Sequence, residues 1–384
     1  IHMKKLLLFG LALGLAFGGY AQKTYRSSKE FTKNNTERRA DASFEKQTNP
    51  FQPKAVELKS GNAVMVDRYT MGKSGNAYGV ITPYQRAMFY DPASGAIAGS
   101  FRSNPADHGT LSSGSMVTFI SPDFGPTFNW QVLVDPDAAT YALRYPSGVI
   151  YNPDGNTNVE ELFTVGAGPS HTGGTWNRTY HAVAQMNNTN KTVAYYDWEG
   201  ENDWARSNMT VVPNAVFNFG QDYVNVGDLG VDQTMKQYVG TTDDPASGFT
   251  WEYNAVTPDW LIDAADGHAV ALYTTWAAFS KDGSIGYMWL VGVSNDSYDY
   301  GVYQPQIYYT EDGGNSWDEI ELNLEDHPTL VEFLPPWEDG NGNPGTVRPS
   351  FLTGDRTSPG VVDYMGRLHL FSNVYGSSTG DALS

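Results

Sequence analysis

Ser121-Pro-Asp123-Phe-Gly125-Pro-Thr127-Phe128 and Thr310-Glu-Asp312-Gly-Gly314-Asn-Ser316-Trp317 share one pattern, Ser/Thr-x-Asp-x-Gly-x-Ser/Thr-aromatic. Each follows a stretch rich in β-formers, Met116 to Ile120 and Gln306 to Tyr309. This is the chemistry of a tight hairpin. The aspartate accepts hydrogen bonds from turn amides, and glycine permits the positive φ such turns need. The closing aromatic opens the return strand and can pack into a core, so Phe128 and Trp317 are expected to be buried beside their turns. A hairpin signature that recurs points to a repeat architecture.

The surrounding sequence agrees. The chain of 384 residues holds 40 glycines, 21 prolines and 52 aromatics, which favours short strands and turns. Val117 to Ile120, Trp130 to Val134, Lys191 to Tyr196, Ala269 to Tyr273, Tyr287 to Val293 and Leu368 to Phe371 have the β-branched and aromatic bias of strands. Gly, Asn, Asp and Pro clusters separate them. The one helical stretch of any size, Lys29 to Lys46, is so polar that it reads as an exposed or disordered lead-in.

The two motifs resemble the Asp-box, or bacterial neuraminidase repeat, of sialidase-like β-propellers. Thr242-Asp-Asp244-Pro-Ala-Ser-Gly248-Phe-Thr250-Trp251 resembles a degraded copy with two extra residues between Asp and Gly. The resemblance covers about 30 residues and implies an all-β fold, an antiparallel propeller. The 189 residues from Ser121 to Thr310 correspond to four blades at ~45 residues each, and five to seven blades fit between Asn62 and Ser384. The ending Gly-Ser-Ser-Thr-Gly-Asp, soon after the Leu368 strand, leads us to expect a further blade and a sorting domain beyond it.

The first 21 residues read as a secretory leader. Lys4 and Lys5 form its charged start, Leu6 to Phe17 its apolar run, and Gly19-Tyr20-Ala21 its cleavage site before Gln22. The run is too short for a permanent membrane span. Residues 22–60 form a polar lead-in or linker, and 61–384 the β domain. The start and the Ala-Gln junction resemble those of secreted Bacteroidota proteins. The expected location is therefore outside the cell or on its outer surface. There is no cysteine, which excludes disulfides, thiolate metal sites and cysteine catalysis.

Net charge is −19. Without the leader, 22 basic face 43 acidic side chains, a net of −21. Residues 22–60 carry +4 and the remainder −25. A body this acidic argues against nucleic acid and anionic lipid as partners. A carbohydrate or an extracellular protein is the expected ligand class.

The resemblance also implies chemistry to look for. Sialidases hold a substrate carboxylate with three arginines and use a Tyr/Glu nucleophile pair with an Asp acid/base. Planar guanidinium groups suit a carboxylate through bidentate pairing. The family's Phe/Tyr-Arg-Ile-Pro motif has its nearest match in Leu143-Arg144-Tyr145-Pro146, which lacks the leading aromatic and the Ile and follows the first box instead of preceding it. Arg102, Arg178, Arg348 and Arg356 complete the candidate set, and interblade ion pairing is their other reading. The missing motif favours a non-catalytic binding or scaffold module, for glycans or proteins, over an exo-sialidase-like glycoside hydrolase. Tyr195-Tyr-Asp-Trp-Glu199-Gly-Glu201-Asn-Asp203-Trp204 interleaves rings that could stack on sugars with carboxylates that could bond hydroxyls. The same rings could simply fill the wedge between blades.

No cofactor is required by this reading. Two loops space oxygen ligands at i, i+2, i+4 in a way that resembles the start of a calcium loop: Asp339-Gly-Asn341-Gly-Asn343 and Asp154-Gly-Asn156-Thr-Asn158. Metal-free Asp/Asn/Gly turns share that spacing. The seven histidines contain no i, i+4 pair, so a zinc site is not indicated.

Overall fold

A computed structural model describes residues 68–75, 86, 88–137, 141–172, 175–197, 202–223, 234–262, 269–270, 275–295, 303–320, 322–334, 337–338, 344–345, 348–351 and 359–377. All belong to the unit Asp67–Ser384. The expected leader, the lead-in and the Lys29 to Lys46 stretch lie outside the described residues.

The fold is all-β, and its repeating element is a four-stranded antiparallel meander. Sheet 1 is β1 (Met88–Tyr90), β2 (Ile97–Arg102), β3 (Met116–Ser121) and β4 (Asn129–Val134). Sheet 2 is β5 (Ser147–Tyr151), β6 (Phe163–Thr172), β7 (Thr175–Gln185) and β8 (Thr192–Asp197). Sheet 3 is β9 (Asn202–Val212), β10 (Ala215–Tyr223), β11 (Met235–Thr241) and β12 (Thr250–Val256). Sheet 4 is β13 (Trp276–Phe279), β14 (Gly286–Gly292), β15 (Gln304–Thr310) and β16 (Asp318–Ile320). Three two-stranded pairs follow: β17 (Trp337–Glu338) with β18 (Pro344–Gly345), β19 (Arg348–Phe351) with β22 (Val374–Ser377), and β20 (Gly360–Val362) with β21 (Leu368–Leu370). The helices α1 (Pro105–His108) and α2 (Pro328–Phe333) each span less than two turns. Among the described residues no helix is long and apolar enough to cross a membrane.

Burial follows strand position. β3, β5, β14 and β15 are almost wholly buried, whereas β8 and β12 alternate and β16 is exposed throughout. The fourth strand is thus the outer edge of its sheet, and period-2 alternation is what such an edge requires. Consecutive sheets bury their facing sides against each other. Met116 and Leu133 of sheet 1 pack with Tyr180 and Ala182 of sheet 2. Val165 and Val183 of sheet 2 meet Met209 and Val216 of sheet 3. Phe217 and Phe219 of sheet 3 meet Met288 and Leu290 of sheet 4.

Each sheet has two unlike ends. Second-to-third-strand and sheet-to-sheet connections lie at one, the loop end, and are mostly long. First-to-second and third-to-fourth turns lie at the other, the turn end. The Asp123 and Asp312 segments both connect a third strand to a fourth, β3 to β4 and β15 to β16, as does the Asp244 segment between β11 and β12. The spacing expectation needs correcting. The 189 residues between the two motifs cover three sheet steps of about 63 residues each, not four of ~45. Long loop-end connections, such as the 19 residues from Thr257 to Thr275, stretch the repeat.

The two motif turns carry one hydrogen-bond set. Ser121 Oγ donates to Asp123 Oδ1 (2.9 Å) and accepts from Gly125 N–H (2.6 Å). Asp123 also accepts from the Thr127 amide (3.0 Å) and hydroxyl (2.8 Å). Thr310, Asp312, Gly314 and Ser316 repeat all four, at 2.7, 2.9, 3.0 and 2.6 Å. These bonds to the ionised form hold both carboxyls low. In Asp312 the Ser316 hydroxyl contributes most, and its pKa falls to about 2. In Asp123 the Thr127 amide leads.

Phe128 and Trp317 are half-buried instead of buried, because each stands just before an outer-edge strand. Phe128 packs with Phe101, Val117 and Phe119. Trp317 reaches back to the preceding sheet, where its Nε1–H donates to Gln237 Oε1 at 2.7 Å, while its ring meets Phe279 of its own sheet edge-on. Trp251, the aromatic of the degraded copy, likewise stacks on His181 of sheet 2 at 3.9 Å.

Candidate functional site

The loop ends of sheets 1 and 2 meet through the backbone. Arg86, just before β1, accepts from Gly148 N–H at the start of β5 (3.4 Å), and its own N–H donates to Ser147 Oγ (2.9 Å). Arg102 closes β2 and Arg144 lies just before β5, so both stand at this same end. Arg102 is buried, at 4% exposure. Its Nε–H donates to Ser113 O (2.7 Å) and its Nη2 to Ser113 Oγ (3.3 Å). Burial lowers its pKa to about 10. The neighbouring Arg144 charge adds to that, against an opposing pull from Tyr145. Arg144 is half-buried, and Leu143 O (3.3 Å) accepts from its Nη1. Neither guanidinium pairs with a carboxylate among the described residues. Tyr145 beside them holds a left-handed backbone, φ 45°, which is sterically costly for a bulky residue.

Arg178 does not join this pair. It lies on β7 opposite Asp197 of β8 in register. Its Nε and Nη2 bond both carboxylate oxygens, the latter at 2.8 Å, and its Nη1 donates to Tyr180 OH (3.2 Å). Its guanidinium sits between the rings of Tyr141 (3.8 Å) and Tyr195 (3.6 Å). Burial opposes the charge, but the Asp197 and Tyr180 bonds outweigh it and raise the pKa. A fork already filled by a bidentate carboxylate has no second one to offer. Arg348 opens β19, its side chain outside the described part, and Arg356 lies outside the described residues altogether. Sequence reading overlooked Arg86, whose guanidinium lies 5.5 Å over Phe89 and whose pKa burial lowers. No motif surrounds it, and only the β1–β5 contact makes it noticeable.

The Tyr195–Trp204 stretch ends β8 and begins β9. Tyr195 is exposed and Tyr196 donates to Trp251 O (2.6 Å), so one ring faces solvent and its neighbour ties sheet 2 to sheet 3. Residues 198–201, with Glu199 and Glu201, lie outside the described residues. In the loop at 154–158, Asn158 caps a short 3-10 turn: its Oδ1 accepts from Glu160 N–H (3.2 Å) and its Nδ2 donates to Glu161 (3.0 Å). Asn156 N–H donates to Asn152 Oδ1 (2.8 Å). These bonds tie Asn158 to its own short helix. The 339–343 loop lies outside the described residues. Among the described residues no group of three His, Cys, Asp or Glu stands together as for a metal ion.

No known protein family and no curated protein matches the chain. Among solved structures it is similar to an alpha-L-arabinanase of Penicillium chrysogenum, at 13% identity over 76% of this chain and 74% of that one, TM-score 0.39. It is also similar to a GH43 β-1,3-galactosidase (12%, 66% of this chain and 50% of that one, TM-score 0.33) and to a Trypanosoma rangeli sialidase (12%, 77% and 48%, TM-score 0.30). The chain thus spans about half the length of the last two. The fold rests on the strand order and register described above and not on these likenesses.

Proposed function

We propose that this protein is an exported, sialidase-like β-propeller with Asp-box turns, and that it acts outside the cell as a non-catalytic module binding a carboxylate-bearing glycan. The observation that carries the reading is the Arg102–Arg144 pair. Among the described residues neither guanidinium has a carboxylate partner, and both lie at one end of their sheets on a chain of net charge −19. Such a pair is uncomfortable alone and is relieved by an anion. Arg144, the more exposed of the two, would meet the ligand's carboxylate, with the buried Arg102 behind it. The left-handed Tyr145 supports the same place, since strained backbone clusters at binding sites. The meander order, the outer position of the fourth strands and the face-to-face sheets support a propeller; its ring closure and blade number belong to the proposal. So do the leader, with cleavage before Gln22, and a protein in place of a glycan as the carboxylate donor. Calcium, if the 339–343 loop takes it, would be a structural ion only.

The exo-sialidase reading keeps one observation in its favour, because the same pair suits a sialic acid carboxylate. It loses Arg178, which Asp197 occupies. The two readings separate in one experiment: sialylated and desialylated glycans are presented to the full chain and to Arg144→Ala, and a fluorogenic sialoside is assayed alongside. The binding reading expects retention on the sialylated glycan, about tenfold weaker in the variant, with no fluorophore released. Turnover that disappears in Arg144→Ala would establish the enzyme instead. Equal binding by both proteins would remove the site.

A further inference from the structure

At the turn end, opposite Arg144, sheets 1 and 2 enclose a cleft of about 340 Å3. It is within the size range of small-molecule sites. Asn129 and Gln131 of β4 form part of one wall. Val159, Glu160, Met186 and Asn188 form part of the other.

Gln131 is 2% exposed, and its Nε2 donates to Thr164 Oγ1 (2.5 Å). The Thr164 hydroxyl spends its single proton on Ala184 O (3.3 Å), so it can only accept from Gln131. That fixes the amide's orientation and leaves Oε1 as a buried acceptor with no donor among the described residues. Native interiors rarely leave such an atom unpaired. The side chains of Asn129, Glu160 and Asn188 also have no hydrogen-bond partner among the described residues. Three polar side chains with unspent capacity therefore line one cleft, beside the apolar surfaces of Val159 and Met186, and the unpaired Gln131 Oε1 is buried in its wall.

We infer that this cleft is a binding site for one neutral pyranose unit. The lining contains a carboxylate and no Lys, Arg or His, so an anionic sugar is disfavoured. Its oxygen acceptors call for hydroxyl donors, its amides can serve hydroxyls in either sense, and its apolar patch suits the C–H face of a sugar ring. The inference does not depend on the Arg144 site, which lies at the other end of the same strands.

The test is saturation-transfer NMR and titration of the full chain with methyl β-D-galactopyranoside, methyl α-D-mannopyranoside and N-acetyl-D-glucosamine. At least one should bind saturably, with a Kd on the order of 1 mM. Asn129→Ala and Glu160→Gln, at positions exposed or partly exposed, should each weaken it about tenfold, and Arg144→Ala should leave it unchanged. Failure of all three sugars to bind, binding untouched by both cleft variants, or loss of binding in Arg144→Ala would each overturn the inference. So would calcium, titrated alone, saturating the cleft in place of a sugar.

Discussion

The Asp123 and Asp312 turns make the same four bonds around unlike residues. After Asp312 comes Gly313, at φ 72°, where glycine is at ease. After Asp123 comes Phe124, at φ 61°, a conformation that L side chains avoid, and its ring is 66% exposed. Burial therefore does not hold Phe124 there. The aspartate's bonds to Ser121 and Thr127 dictate the backbone, and the residue between follows. The closing aromatics differ as well. Trp317 is bonded across sheets to Gln237, while Phe128 offers only apolar contact.

The largest expected effect tests that last difference. Trp317→Ala should cost ~3 kcal/mol, since it removes a packed ring and leaves the buried Gln237 Oε1 without its donor. Phe128→Ala, half-buried and without a polar partner, should cost ~1–2 kcal/mol. Urea unfolding of both variants measures this, and equal losses would show that the cross-sheet bond contributes nothing.

Acid should separate the two turns next. Asp312 titrates near 2 when folded, below its unfolded value of about 3.8. Its contribution is thus fully present above pH ~4 and is lost as pH falls toward 2. Melting temperature followed from pH 6 to pH 2 should drop less steeply in Asp312→Asn than in the parent, and the same change at Asp123 should have a smaller effect. Parallel curves for all three proteins would contradict the assignment.

The smallest effect concerns the residue after each aspartate. Phe124→Gly should stabilise by ~0.5 kcal/mol, relief of left-handed strain offset by greater freedom in the unfolded chain. Gly313→Ala should destabilise by ~1 kcal/mol. If Phe124→Gly were destabilising, the exposed ring would be contributing through its edge-on contact with Tyr90.

Local features could be read from sequence because their physics is local. The Met116, Trp130, Lys191 and Tyr287 strands all lie within β3, β4, β8 and β14 give or take a residue. One turn of related chemistry escaped notice: Ser280-Lys-Asp282-Gly-Ser284, where Asp282 accepts from both neighbouring serines but no aromatic follows. What depended on register was hidden. Nothing in the spelling of Arg178 reveals that Asp197, 19 residues on, lies directly across from it. The Arg102–Arg144 proximity and the Gln131 cleft arise where two sheets meet, so no single stretch encodes them. The spacing estimate failed because it assumed compact connections at the loop end.

The meander order also sets a sequence of events in folding. The bonds within the Asp turns join residues two to four apart, so closing them costs little chain entropy, and hairpins of this kind form in microseconds. Each sheet can then assemble from neighbours along the chain. Contacts such as Trp317 with Gln237 span 80 residues and must wait until two sheets already exist. Docking of finished sheets is then the slow step, and a Trp317 variant should fold each hairpin at an unchanged rate while delaying the union of sheets 3 and 4.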